Sequence, residues 1–594
     1  MGRRACLAAL LVAAATSAGP AAPGTAPRRD DPVINKAAGA PGMLDLVLED
    51  GKVTGSLELE EECLEAFADL LPPEAYDEVD FGPDHVARPA AERRPWFFAH
   101  GLVVKGPDGE LLPCRVVSYE KRPKTLRDLI TTRPLPAAAQ KGPPAWCFTL
   151  EWTCPGQPAS LAIRPPMDEL RGSALTTVGF RLFHGPQPVN DYRFLVREEH
   201  VDLDWEDPFY TRFRNKNLFR LNREPVQVFL YVEALEVRVE LVVRPMDLQQ
   251  VADLGLADHD RIPAAERRAV LDRAVAALRA GTRLEVDGRE VEPRLDRVHF
   301  VRRSIGRTDV VPDGEDLDLV TPYIGAVFVQ PVEDWPKAAS LTWDLFPPRV
   351  EEVYAIAIDE AGGIPTQLTR AQHVLGWKNF LSDPSRPGFV AVPAPPPRPA
   401  FTVDLVRVLC GVAGVFALVL LRRRRLVALG AGAAGLALAV LLPPTWTVEV
   451  ADPMAPLPAI GAAEAREVLE AQLRNVYKAF DRREESLVYD TLARSVDGPL
   501  LTRIFLETKR ALEIENQGGA RVKVFDLEVA EFAPEPLADA IGFAGKARWK
   551  VWGRVGHWGH LHERTNGYVA DLRVEARDGA WKLVGLEILD RERM

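Results

Sequence analysis

The run "LVRVLCGVAGVFALVLL" (residues 405–421), "RRRR" (422–425) and "LVALGAGAAGLALAVLL" (426–442) divides the 594-residue chain into two soluble parts. Each largely apolar stretch has about 17 residues, the lower limit for a membrane-spanning helix. Only four arginines separate the two, so they read as a helical hairpin. A tight arginine loop belongs on the cytoplasmic side. Both flanking regions then lie outside the cytoplasmic membrane. Arg407 sits near the outer end of the first run, where a long side chain can snorkel. A buried soluble helix pair is the alternative, but the arginine block has no place in a core. "GAGAAG" at 430–435 matches the dinucleotide pattern G-x-G-x-x-G, yet it follows no strand. Its small residues read instead as a close-packing face against the other helix.

The N-terminus independently requires export. Two arginines, an apolar run and small residues ("MGRRACLAALLVAAATSAG") form a signal peptide, residues 1–22. An Ala/Pro/Gly-rich linker, expected to be disordered, follows at 23–41. In an oxidising compartment, Cys63, Cys114, Cys147 and Cys154 are expected to form two disulfides of undetermined pairing. Cys147 and Cys154 close one strand, "CFTLEWTC", and lie too far apart to bond each other. A zinc site is the alternative, but the close cysteine pairs it usually needs are absent. The net charge is 73 − 85 = −12, so nothing argues for nucleic acid.

Residues 42–215 and 216–390 read as two β-rich modules, sandwich-like and duplicated. "GLVVKGPDGELLPCRVVSYEKRP" (101–123) parallels "TRLEVDGREVEPRLDRVHFVRR" (282–303), each with a strand, an Asp-Gly turn and a second strand. "LVREEHVDLDW" (195–205) parallels "LTRAQHVLGW" (368–377), matching Arg197, His200 and Trp205 with Arg370, His373 and Trp377. A single histidine per copy is read as structural. Each copy also has an early helix, with Val270, Ala274, Val275 and Leu278 in the second and Leu64, Phe67 and Leu70 in the first. "YVEALEVRVELVVRPMDLQQVADLGL" (231–256), followed by a helix and "LEVDGREVEP", resembles the exported region of hydrogenase/urease accessory membrane proteins. That family's His-Pro/Asp-His signature is absent. Nickel transport is therefore not carried over, and the resemblance implies only a β-sandwich-like, membrane-tethered extracytoplasmic module.

A Pro-rich linker (391–404) leads into the hairpin (405–442), and a second (443–460) leads out. Residues 461–594 begin helical. "AAEAREVLEAQLRNVYKAFD" places Val468, Ala471, Leu473, Val476, Tyr477 and Phe480 in one stripe. Four strands follow, the last after an Asp-Gly turn at Asp578-Gly579. Helices followed by a meander ending in "DGAWKLVGLEIL" resemble the NTF2-like superfamily. That resemblance implies an α+β cone with a pocket between helices and sheet, and no single activity.

Within that domain, "GHWGHLHERTNGY" (556–568) carries three of the ten histidines. A two-residue Trp558-Gly559 loop sets His557 opposite His560 and Val555 opposite His562. His557, His560 and His562 then share one face with Arg564, Asn566 and Tyr568. That face continues into Val551, Trp549, Ala570, Leu572 and Val574, the apolar side. The histidines are candidate metal ligands, suited to Zn, Cu or Ni. Arg564, Asn566 and Tyr568 are candidate ligand-binding residues. Hydrogen bonding within the fold is the structural alternative. No G-x-S-x-G, P-loop, H-E-x-x-H or EF-hand pattern occurs.

These observations describe a protein of the bacterial inner membrane with two spans and both soluble regions periplasmic. The expected role is non-enzymatic binding or assembly with a ligand, metal or extracytoplasmic protein partner. The alternative is a membrane-tethered, metal-assisted hydrolase with its site in the C-terminal pocket.

Overall fold

The computed structural model describes residues 34–593 except 82–86, 169, 258, 306, 386–387, 421–423, 442, 444–445, 508–520 and 559. The signal-peptide segment therefore lies outside the described residues. The chain is a multidomain α+β protein, mostly β-sheet. It divides into two compact units, one chiefly residues 20–384 and the other chiefly 385–594.

The first unit contains two sets of sheets. Its first half has principal strands β1 (Gly42–Glu49), β2 (Lys52–Leu59), β3 (Val103–Lys105), β4 (Cys114–Pro123), β5 (Pro144–Thr153), β6 (Ser160–Arg164), β7 (Val178–His184) and β8 (Glu199–Asp202), with helix α1 (Ala90–His100) before β3. The larger sheet runs β7-β1-β2-β5-β4 and the smaller β8-β6-β3. The second half has β9 (Val226–Glu233), β10 (Glu236–Val243), helix α2 (Arg267–Ala280), β11 (Thr282–Val286), β12 (Arg294–Ser304), β13 (Tyr323–Pro331), β14 (Ala338–Trp343), β15 (Glu352–Asp359), β16 (Gly362–Thr369) and β17 (Val374–Lys378). Its larger sheet runs β16-β15-β9-β10-β13-β12 and its smaller β17-β14-β11. Strand order is therefore the same in both halves. In each, one parallel pairing, β1 with β7 and β9 with β15, stands among antiparallel ones.

Turn chemistry fixes the register. Asp287 and Gly288 have φ of 52° and 75°, the left-handed pair a tight hairpin turn demands. Val270, Ala274 and Leu278 of α2 are fully buried, as their spacing requires. The first-half helix differs from expectation. Leu64, Phe67 and Leu70 lie on or beside short 3₁₀ segments ending at Leu70, because Pro72 and Pro73 stop the chain from continuing as a longer helix. The longer helix is Ala90–His100. Residues 34–41, expected to be disordered, are ordered. Asn35 caps a 3₁₀ turn at Lys36–Gly39, and Ala37, Ala38 and Ala40 are buried with Tyr192.

No disulfide joins the described cysteines. Cys63, Cys114, Cys147 and Cys154 are all free thiols. Sheet register explains this: Cys114 stands opposite Trp152, while Cys147 stands between Glu58 and Glu120. No cysteine of the ladder faces another. Cys63 instead meets the Thr176 hydroxyl at 3.3 Å. Burial pushes the Cys114 thiol up to about 12 and the Cys147 thiol up to about 11, so both stay protonated at neutral pH.

The second unit opens with a helical hairpin, α3 (Leu405–Leu420) and α4 (Arg425–Leu441), between strands β18 (Ala400–Asp404) and β19 (Thr447–Ala451). The strands pair antiparallel, Ala400 with Ala451 through Asp404 with Thr447. Chain entry and exit are thereby held side by side. Asp404 starts α3 by accepting from the N–H groups of Val406 and Arg407 at 2.9 and 3.2 Å. The small-residue face packs as expected. A Cβ on Gly435 would stand 2.7 Å from the Gly414 Cα, and one on Gly432 would strike Leu418 at 2.5 Å. The spanning expectation is not met by length. No helix among the described residues is long and apolar enough to cross a membrane. Sixteen residues rise about 24 Å, against about 30 Å of hydrocarbon.

The C-terminal domain places α5 (Ala462–Ala479) and α6 (Glu485–Ala493) against a four-stranded meander. Its strands are β20 (Arg521–Pro536), β21 (Gly542–His557), β22 (His560–Arg577) and β23 (Ala580–Arg593), in that order. The α5 stripe Val468, Ala471, Leu473, Val476, Tyr477 and Phe480 is buried. The chain just before the Pro-rich linker is strapped to α5. Asn475 accepts from the Val390 N–H at 2.8 Å and donates to the Val390 carbonyl at 2.9 Å.

Candidate functional site

The hairpin between β21 and β22 was the leading sequence candidate, and the main chain around it follows the expected path. The strands stop at His557 and resume at His560. Trp558 has φ 44°, as a two-residue turn requires. Two side-chain contacts report the register. Arg554 Nη2 meets Glu563 Oε1 at 2.7 Å, and the Trp549 and Tyr568 rings stack at 5.5 Å. Both pairs have the spacing that sets 557 opposite 560.

The side chains of His557, His560, His562 and Arg564 lie outside the described residues. Asn566 is half-buried and meets the Tyr568 side chain. Tyr568 is buried between strand and helix. Burial pushes its hydroxyl up to about 12. Tyr477 on α5 lies next to this pair, its hydroxyl 3.5 Å from Trp549 Nε1. Trp549, Val551, Tyr568, Ala570, Leu572 and Val574 are all buried, so this face is the domain core. Large aromatic rings fill the space where a cone-shaped fold would offer a pocket. Among the described residues, a cleft of about 490 Å³ lies beside Leu500, Arg503, Asp571 and Glu587.

Elsewhere, the repeated histidines prove dissimilar. His200 is exposed, 3.6 Å from Glu198. His373 Nδ1 is 2.9 Å from Asp344 Oδ1. Trp205 donates to the Pro158 carbonyl, whereas Trp377 donates to Asp359. Among the described residues no three His, Cys, Asp or Glu groups are placed to hold a metal. The metal reading therefore rests on the three undescribed imidazoles. If they bind Zn, Cu or Ni, purified protein carries stoichiometric metal. Converting His557, His560 and His562 together to Ala removes it without unfolding the domain, as elemental analysis alongside circular dichroism would show. Metal-free wild type would end that reading.

Comparison with known proteins assigns no family. No family model matches, and no curated protein matches. Among solved structures, the intermembrane space region of the chloroplast protein ARC6 aligns at 20% identity. The alignment covers 22% of this chain and 98% of that one, with a TM-score of 0.18. At that score it assigns no fold and no role.

Sequence reasoning missed two buried ionic clusters in the first unit. Strand β10 reads E-V-R-V-E-L-V-V, an alternation that normally puts charges in water. Every residue of it is buried. Arg238 satisfies Glu236 at 2.9 Å and Glu240 at 2.8 Å, and lies 4.3 Å over the Tyr231 ring. Burial opposes its charge, yet the two carboxylates hold the guanidinium above its usual range.

The second cluster joins the two halves. Arg244 makes a bidentate pair with Asp207 (3.1 and 3.0 Å) and reaches Asp247 at 2.7 Å. The Tyr210 hydroxyl donates to Asp247. Phe209 lies between two guanidinium groups, Arg244 at 3.8 Å and Arg220 at 4.4 Å. Residues 206–225 thus dock one half on the outer face of the other's larger sheet. Arg244 and Asp247, three apart in "RPMD", were the visible signal, since Pro245 at the first helical position aligns them.

Proposed function

We propose that this chain is a membrane-anchored extracytoplasmic binding or assembly protein. In this reading residues 42–215 and 216–390 are two copies of one module, and residues 461–594 form an NTF2-like domain. The supporting observation is the hairpin surface. Leu409, Phe416, Leu426, Leu436 and Leu441 stand exposed, Leu426 at 88%. Their helices are apolar on nearly every side, a pattern that suits lipid rather than water. The pairing of β18 with β19 returns the chain to its point of entry, which favours both soluble regions on one side. Spans a few ångströms short are accommodated by local bilayer thinning and by snorkelling arginines. The recurring strand order supports duplication, and paired modules suit contact with a macromolecular partner.

The experiment is alkaline extraction of bacterial membranes. Full-length protein stays in the membrane pellet. A variant lacking 405–442, with the β18–β19 pair joined by a short turn, appears in the supernatant while still folded. Release of the full-length chain would sink the proposal.

A further inference from the structure

At the junction between the two halves of the first unit, two buried guanidinium groups, Arg220 and Arg303, hydrogen-bond only to neutral oxygens. Three arginines, Arg220, Arg244 and Arg303, act on the buried Tyr323 hydroxyl. Arg244 pairs with Asp207 and Asp247. Arg220 is buried but bonds only to carbonyls, Asn222 O at 3.1 Å and Phe209 O at 2.8 Å. Asp191 acts on it from further away and accepts the Leu221 N–H at 2.7 Å. Arg303 donates to the neutral Gln227 amide oxygen. Its Cζ lies 5.9 Å from the Tyr323 ring, and its buried Nε has no partner among the described residues.

Buried guanidinium groups are ordinarily matched by anions, because desolvating an uncompensated charge costs several kcal/mol. Burial pushes both Arg220 and Arg303 below the usual guanidinium range, the opposite of Arg244 beside its carboxylates. Arg303 as a whole is only half-buried. We propose that a small inorganic oxyanion of phosphate size binds among Arg220, Arg303 and the Tyr323 hydroxyl. Guanidinium forks and a phenol O–H are the donors such an ion needs. The ion would tie the docking segment 206–225 to strands β12 and β13. This inference does not depend on the membrane proposal.

The test is thermal unfolding of the full-length protein in detergent, in phosphate, in sulfate and in chloride at one ionic strength. Wild type gains about 2–4 °C in saturating phosphate or sulfate relative to chloride. Tyr323→Phe reduces the gain and Arg303→Gln abolishes it. Should Arg303→Gln fail to fold, the Tyr323→Phe comparison still decides, because it removes one hydroxyl and leaves the ring. Equal melting of wild type in all three salts overturns the site. So does an oxyanion gain that both variants retain, which would mark a general salt effect.

Discussion

Replacing Arg244 with alanine lowers the stability of the first unit by about 3–5 kcal/mol. The side chain is fully buried and is shared by Asp207 and Asp247. Its loss strands two carboxylates in a region of low dielectric and removes the cation that lies 3.8 Å over Phe209. Arg349 is the internal control. It pairs with Asp204 and covers the Tyr210 ring at 3.9 Å, but its side chain is 37% exposed. Solvent screens that pair, so Arg349→Ala costs about 1 kcal/mol or less. Urea unfolding followed by tryptophan fluorescence separates the two. Equal small losses would mean that the Arg244 cluster does not hold the halves together.

Trp549→Ala lowers the stability of the C-terminal domain by about 3–5 kcal/mol. The indole is fully buried, stacks on Tyr568, and donates from Nε1 to the Tyr477 hydroxyl of the helix layer. Truncation opens a cavity that three different elements would have to collapse to fill. Trp552, three residues further along the same strand but half-buried, gives a much smaller loss. Differential scanning calorimetry of both variants measures the contrast. A mild effect at 549 would show that the aromatic cluster is loosely packed and that the domain keeps an internal pocket.

Much of the secondary structure was legible because period and turn chemistry agreed. The α5 stripe, the Asp-Gly turns and the two-residue loop at Trp558 each follow from local rules. Those rules act over a few residues, and the structure preserves them. The features that sequence did not show depend on distant partners. Strand β10 alternates charged and apolar residues, and Arg238 pairs with its own neighbours Glu236 and Glu240, which lets the charged face be buried. The four cysteines looked like a disulfide set because export and parity suggested it, whereas ladder register decides which side chains face each other. Tyr568 looked like a ligand contact because it shares parity with the histidines. The same parity sends it into the core, where Trp549 already stands.

Anchoring of the hairpin in a bilayer, with both soluble regions on one side, is tested by protease digestion of intact spheroplasts. The account predicts that added protease removes both 34–404 and 446–594 and leaves the segment around 405–442 in the membrane. Protection of either soluble region until the membrane is lysed would contradict it.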